Sequence, residues 1–179
     1  MTLLTSGFLK NCALNAGGLK NVWLANRKDI AAAGFTLSSG EYTAVTMESS
    51  AVFYKFEFDE DTAEFRPAGA FENNTALVNS EIEFALSGMS TLMMTSMQEL
   101  LEVSACGMVG IAEDSNGVKW VIGYSESFPT NVDTQGRPLK ARTIEATSGK
   151  ALSDTNMSTV ILGSNNTSFP LVFTGTVPV

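Results

Sequence analysis

The chain has 179 residues, 44% hydrophobic and 17% charged, an ordinary globular balance that fits one domain with its own core and excludes disorder throughout. Nineteen acids against eleven bases give a net charge of −8, which argues against a groove that grips nucleic-acid phosphates. Histidine is absent, so the commonest general base, the commonest metal ligand and every Ser/His or Cys/His pair are missing, which argues against hydrolytic or metal-dependent catalysis.

Segment 1–18 mixes apolar residues with Ser, Asn and Gly and reads as an extended N-terminal arm. Lys10 and Asn11 interrupt what would be the core of a signal peptide, and no apolar run approaches the roughly 20 residues of a transmembrane helix. The expectation is a soluble protein made in the cytoplasm that engages no membrane. Two cysteines, Cys12 and Cys106, are too few for a disulfide framework; Cys106, at an apolar helix-to-strand junction, reads as a small core residue.

The first strand is predicted over 19–25, closed by a polar turn at 26–29, and 31–40 reads as a small-residue linker. Strands follow at 42–47 and 52–58. Tyr54, Phe56 and Phe58 share one side of the latter, and so many aromatics predict cover on both faces. Segment 59–74 reads as an acidic loop that still carries Phe65 and Phe71.

At 79–86, Ile82, Phe84 and Leu86 alternate with Glu81, Glu83 and Ala85, the period of a half-buried strand. Ser87 or Ser90 can cap a helix over 91–104, and Gly107 supplies its stop. Met93, Met97, Leu100, Leu101 and Ser104 form one stripe, with Gln98, Glu99 and Glu102 turned away. Strands at 108–113 and 118–124 then flank a turn at 114–117, where Asn116-Gly117 predicts type I′ geometry. This strand, helix and hairpin organise the chain, and Met97, Leu100, Leu101, Ile111 and Trp120 are expected to meet in one cluster.

Segment 126–138 is turn-rich, 139–146 alternates as a strand, and 159–163 and 169–174 are further strands, with Pro170 pushing the last toward a sheet edge. About eight strands and one helix make this a mainly antiparallel β chain. The predicted fold is a β-sandwich or barrel with one flanking α-helix, in a single domain over 1–179.

No motif carries catalysis. Asp59-Glu60-Asp61-Thr62 lacks the glycine and distal glutamate of a calcium loop, and Asn15-Ala16-Gly17-Gly18 lacks the Lys-Ser/Thr sequel of a phosphate loop. Ser87, Ser90 and Ser104 have no histidine partner, and Glu81 with Glu83 reads as the solvated face of a strand rather than a glycosidase pair. No catalytic residue, cofactor, metal or small-molecule substrate is expected.

Charge is segregated along the chain. Acids dominate 41–83, while Lys20, Arg27 and Lys28, and later Arg137, Lys140 and Arg142, form basic segments that read as one rim. If acids and bases occupy opposite rims, stacking subunits head to tail would bring them together. Beyond Asp154 no charged side chain occurs, so 156–179 is expected to complete the sandwich and continue into a neighbouring subunit. Candidate subunit contacts are Phe169, Leu171 and Phe173, together with Met94, which lies off the helix stripe.

Cys12 with Gly17-Gly-Leu-Lys-Asn-Val-Trp-Leu-Ala-Asn26, Tyr42-Thr-Ala-Val-Thr-Met47, Phe53-Tyr-Lys-Phe-Glu-Phe58 and Glu113-Asp-Ser-Asn-Gly-Val-Lys-Trp-Val-Ile-Gly-Tyr124 resemble bacteriophage virion proteins of Bacteroidetes-type hosts. The order strand, helix, hairpin within a β-sandwich is similar to the tail-tube fold. That resemblance implies a virion protein assembled in the host cytoplasm, with hexameric rings stacked into a DNA-conducting tube. Its partners would be itself and other virion proteins, with DNA only as passing cargo. Tube subunits commonly contact the next ring through a long inter-strand loop, for which 59–74 is the counterpart here. Glu57, Asp59, Glu60, Asp61 and Glu64 would repel phosphate from a lumen or meet the next ring. Neck, adaptor, ring and terminator proteins share the fold and are the alternative; a carbohydrate-binding or enzymatic β-sandwich is a distant third.

Overall fold

The computed structural model describes residues 15–127 and 137–179; 1–14 of the expected arm at 1–18, with Cys12, and 128–136 of the turn-rich stretch lie outside them. The chain is mainly antiparallel β with one helix, a β-sandwich with the helix at its flank. Among the described residues there are ten strands: β1 (Leu19–Asn26), β2 (Ile30–Ser38), β3 (Glu41–Met47), β4 (Tyr54–Phe56), β5 (Glu64–Glu72), β6 (Thr75–Ser87), β7 (Met108–Asp114), β8 (Lys119–Ile122), β9 (Lys140–Thr147) and β10 (Met157–Asn166). Helix α1 covers Thr91–Ser104.

The strands form three layers. A middle sheet, ordered β4-β1-β7-β8, lies between a sheet ordered β5-β6-β10-β9 and the two-stranded β2–β3 sheet. Strand alternation explains this. Val22, Leu24, Met108, Ala112 and Ile122 enter one cluster with Ile82, Phe84, Val160 and Leu162. Their sequence neighbours Ala25, Val109, Ile111 and Val121 enter a second cluster, where Phe35, Tyr42, Tyr124 and Phe173 pack ring against ring. A strand covered on both faces reads as a continuous apolar run, which is what Met108-Val-Gly-Ile-Ala112 is.

The helix begins and ends as its sequence dictates. Ser90 is its N-cap, with its hydroxyl accepting from the Met93 N–H at 3.2 Å, whereas Ser87 is held by the Asp59 carboxylate instead. Gly107, at φ +88°, closes the C-terminus by donating to the Val103 carbonyl at 2.8 Å.

Several expectations need correction. Segment 31–40 is strand β2, not a linker; its alanines hide the alternation, and the left-handed Gly34 breaks its register against β3. The second half of the acidic loop is β5, paired with β6 from Glu64↔Glu83 to Glu72↔Thr75. Strand 52–58 shrinks to β4, an edge strand whose Tyr54 is 60% exposed, so both of its faces are not covered. The 114–117 turn is not type I′, because only Gly117 has positive φ. Instead the Asp114 side chain accepts from the Asn116 and Val118 N–H groups, and Gly117 alone takes the left-handed position.

The predicted helix-over-hairpin cluster does not form. Leu100 enters the first cluster with Val103 against it, Ile111 belongs to the second, and Leu101 is 49% exposed. Trp120 is half-buried, its ring 6.3 Å from that of Phe65. Cys106 is exposed rather than core, two residues past the end of α1 and just before Gly107 turns the chain into β7. Segment 169–174 makes single bridges rather than a sheet strand, yet it joins two layers. Tyr42 N–H donates to Val172 and Phe173 N–H donates to Lys119, both at 2.8 Å.

Candidate functional site

The outer part of the β5–β6 ribbon stands alone. Pairing of β6 with β10 stops at Val78↔Asn166, while its pairing with β5 continues for three more residue pairs to Glu72↔Thr75. At about 3.3 Å per residue the ribbon overhangs the sheet by roughly 10 Å before its turn. Asn73 and Asn74, at φ 47° and 61°, supply the two left-handed positions of a tight hairpin turn. Every residue from 66 to 77 is exposed, and Phe71 at the tip is 72% exposed. The Phe169 ring supports the base of the ribbon, lying where a Cβ on Gly69 would come within 2.9 Å. Sequence reasoning missed this hairpin because Pro67 and Gly69 interrupt the strand pattern; the Asn73-Asn74 pair was the available signal.

The acids sit on a turn anchored to the sandwich. Asp59 accepts from the Ser87 N–H at 2.6 Å, and the Thr62 hydroxyl lies 2.6 and 2.9 Å from the Asp59 and Ala85 carbonyls. Asp59 is therefore engaged within the chain, while Glu57, Glu60, Asp61 and Glu64 are exposed. Glu64 and Glu81 flank Arg66 at 3.8 and 3.7 Å, and Glu57 lies 3.9 Å from Lys55. Such exposed pairs contribute little.

Five of the six expected rim cations converge. Arg27, Lys28, Arg137, Lys140 and Arg142 line one cavity of about 640 Å³. Lys20 does not join them. It lies at the start of β1, where Leu19 N–H donates to Ala63 beside the acidic turn; Arg27 follows the other end, donating to Gly107. Eight residues of β1, on the order of 25 Å, thus separate the acidic turn from the basic cavity.

Of the expected subunit contacts, Met94 and Phe169 are exposed and Leu171 packs half-buried against the second cluster. Phe173 is a correction: at 2% exposed it is core, held between Tyr42 and Lys119, and offers no surface. A further apolar cleft of about 850 Å³ opens between β4 and α1, lined by Leu24, Phe56, Leu86, Leu92, Met93 and Leu100.

Perturbed titrations have structural causes. Burial pushes the Tyr42 phenol well up, with the nearby Glu126 charge adding to it, and burial likewise raises Tyr124. The Ala151 and Lys150 N–H groups hold the Asp154 carboxyl below the usual range. Among the described residues no three of His, Cys, Asp and Glu group as metal ligands, and no helix is long and apolar enough to cross a membrane. The chain matches no family model, no curated protein and no solved structure with which it was compared.

Proposed function

We propose that the chain is a non-enzymatic virion structural subunit that self-assembles into rings of a tail-tube-like conduit, with DNA as non-specific passing cargo. The observation that carries this reading is the overhanging end of the β5–β6 ribbon. A two-stranded ribbon is marginal on its own, and a tip that keeps Phe71 in water lacks the layer that would cover it. A second copy would supply that layer. The apolar cleft between β4 and α1, with exposed Leu92 at its edge, offers ground of the right kind. Contact between two different surfaces of like subunits is heterologous, and it closes into a ring when the rotation permits.

The resemblance to tail-tube proteins adds the stacking of rings. Exposed Glu57, Glu60 and Asp61, if turned to a lumen, would repel passing phosphate. Negative-stain microscopy of the purified chain over a concentration series tests the reading. Tubes or stacked rings are expected. Isolated rings would assign a neck, adaptor or terminator role, and monomers at every concentration would contradict self-assembly.

A further inference from the structure

Five of the chain's eleven basic residues surround one concavity, and among the described residues no Asp or Glu lines it. Arg27, Lys28, Lys140 and Arg142 together carry +4, and the rest of the chain carries −12. Like charges this close repel one another unless an anion lies among them.

The fold holds these cations together. Arg27 N–H donates to the Gly107 carbonyl at 3.1 Å, and Met108 and Leu139 exchange backbone hydrogen bonds at 2.9 and 2.8 Å. Pro138 rests on Gly107, where a Cβ would come within 2.4 Å, and this fixes the chain between Arg137 and Lys140. Arg142 lies across Gly163, 2.6 Å from the place a Cβ would occupy, and its Nη2 donates to Asn165 Oδ1 at 3.1 Å. The two chain segments that carry the cations, 27–28 and 137–142, are thereby both tied to the Gly107–Met108 backbone and cannot splay apart. Asp29 and Glu102 line a shallower hollow that shares Arg27 and Lys28, and Asp29 already accepts from the Asn26 amide at 2.7 Å. Arg27, Lys28, Lys140 and Arg142 are in no ion pair among the described residues.

We propose that this concavity binds a compact polyphosphate, a short run of linked phosphates either free or carried on a small molecule. Guanidinium forks grip phosphate oxygens two at a time, lysine adds point charge, and the volume suits a small ligand. Compactness follows from the charge map. A long polyanion would leave the basic cavity and meet the acidic remainder of the chain, whereas a short one is held entirely by the cations. The site stands whether or not the chain self-assembles.

Calorimetric titration of the full chain with inorganic tripolyphosphate tests it. One saturable site per chain is expected, weakening as salt rises. Lys140→Gln combined with Arg142→Gln, both exposed positions, should weaken binding by about tenfold or more with an unchanged melting curve, each lost charge-assisted bond contributing. Lys20→Gln with Lys150→Gln removes the same charge elsewhere and should leave the affinity unchanged. The proposal is overturned by absence of saturable binding, by equal loss in both double variants, or by no loss in the first. Tighter binding of duplex DNA than of tripolyphosphate would assign the cavity to a nucleic-acid backbone instead. Affinity that falls as the protein is concentrated would assign it to the carboxylates of a second copy.

Discussion

Strand β6 passes through two environments. From Val78 to Ser87 it has β10 on one side, and β5 pairs with it from Glu83 down to Thr75 on the other; Val78, Ser80, Ile82 and Phe84 are buried in alternation. From Thr75 to Leu77 only β5 accompanies it, and every side chain is exposed. The same backbone thus serves as core in one half and as free surface in the other. What separates them is whether a second layer lies over the sheet, so alternation reports burial only where such a layer exists. The inner half makes the domain, and the outer half is available to a partner.

The sharpest way to break this contrast is to truncate one aromatic in each half. Phe84→Ala, in the core, should cost about 3–5 kcal/mol in urea unfolding, whereas Phe71→Ala should change monomer stability by less than about 0.5 kcal/mol. Similar costs would mean that the ribbon tip is packed. Helix α1 offers the next contrast. Leu100→Ala should cost roughly 2–5 kcal/mol and Leu101→Ala under about 1 kcal/mol, because only Leu100 reaches the core. Equal losses would restore the helix-over-hairpin packing that the alternation alone implies.

The aromatic cluster makes a smaller, pH-dependent prediction. Burial raises the Tyr42 and Tyr124 phenols in the folded chain, so their contribution is fully present below the ordinary phenol value of about 10. Above it, the unfolded chain loses protons that the folded chain keeps, and stability should fall by up to about 1.4 kcal/mol per pH unit for each phenol. Tyr42→Phe should flatten that slope in alkaline thermal melts; an unchanged slope would mean the phenol is accessible. Smallest is the cap: Ser90→Ala should cost about 1 kcal/mol, measured by chemical unfolding, and a neutral result would mean the helix start does not rely on it.

The helix was legible to the residue, Thr91 to Ser104, because period 3.6, a serine cap and a stop glycine all agree there. Strands β1, β3, β9 and β10 were legible within a few residues for the same reason of agreement. Strand β2 was not, since Ala31, Ala32 and Ala33 say nothing about faces, and β5 was hidden by Pro67 and Gly69. Leu101 was misplaced because a stripe shows which residues share a helix face, not how much of that face the sheets reach. The basic residues were grouped by charge alone. Their convergence depends on the Met108–Leu139 bridge joining segments far apart in sequence, which also explains why Lys20 stays outside.

The central claim is that the overhanging hairpin is where a second copy completes the chain. Sedimentation velocity of the wild type and Phe71→Asp at matched concentrations tests this most directly, with circular dichroism to confirm that both are folded. The wild type should sediment as a multi-subunit species and Phe71→Asp as a folded single chain. A Phe71→Asp protein that assembles like the wild type would contradict the claim.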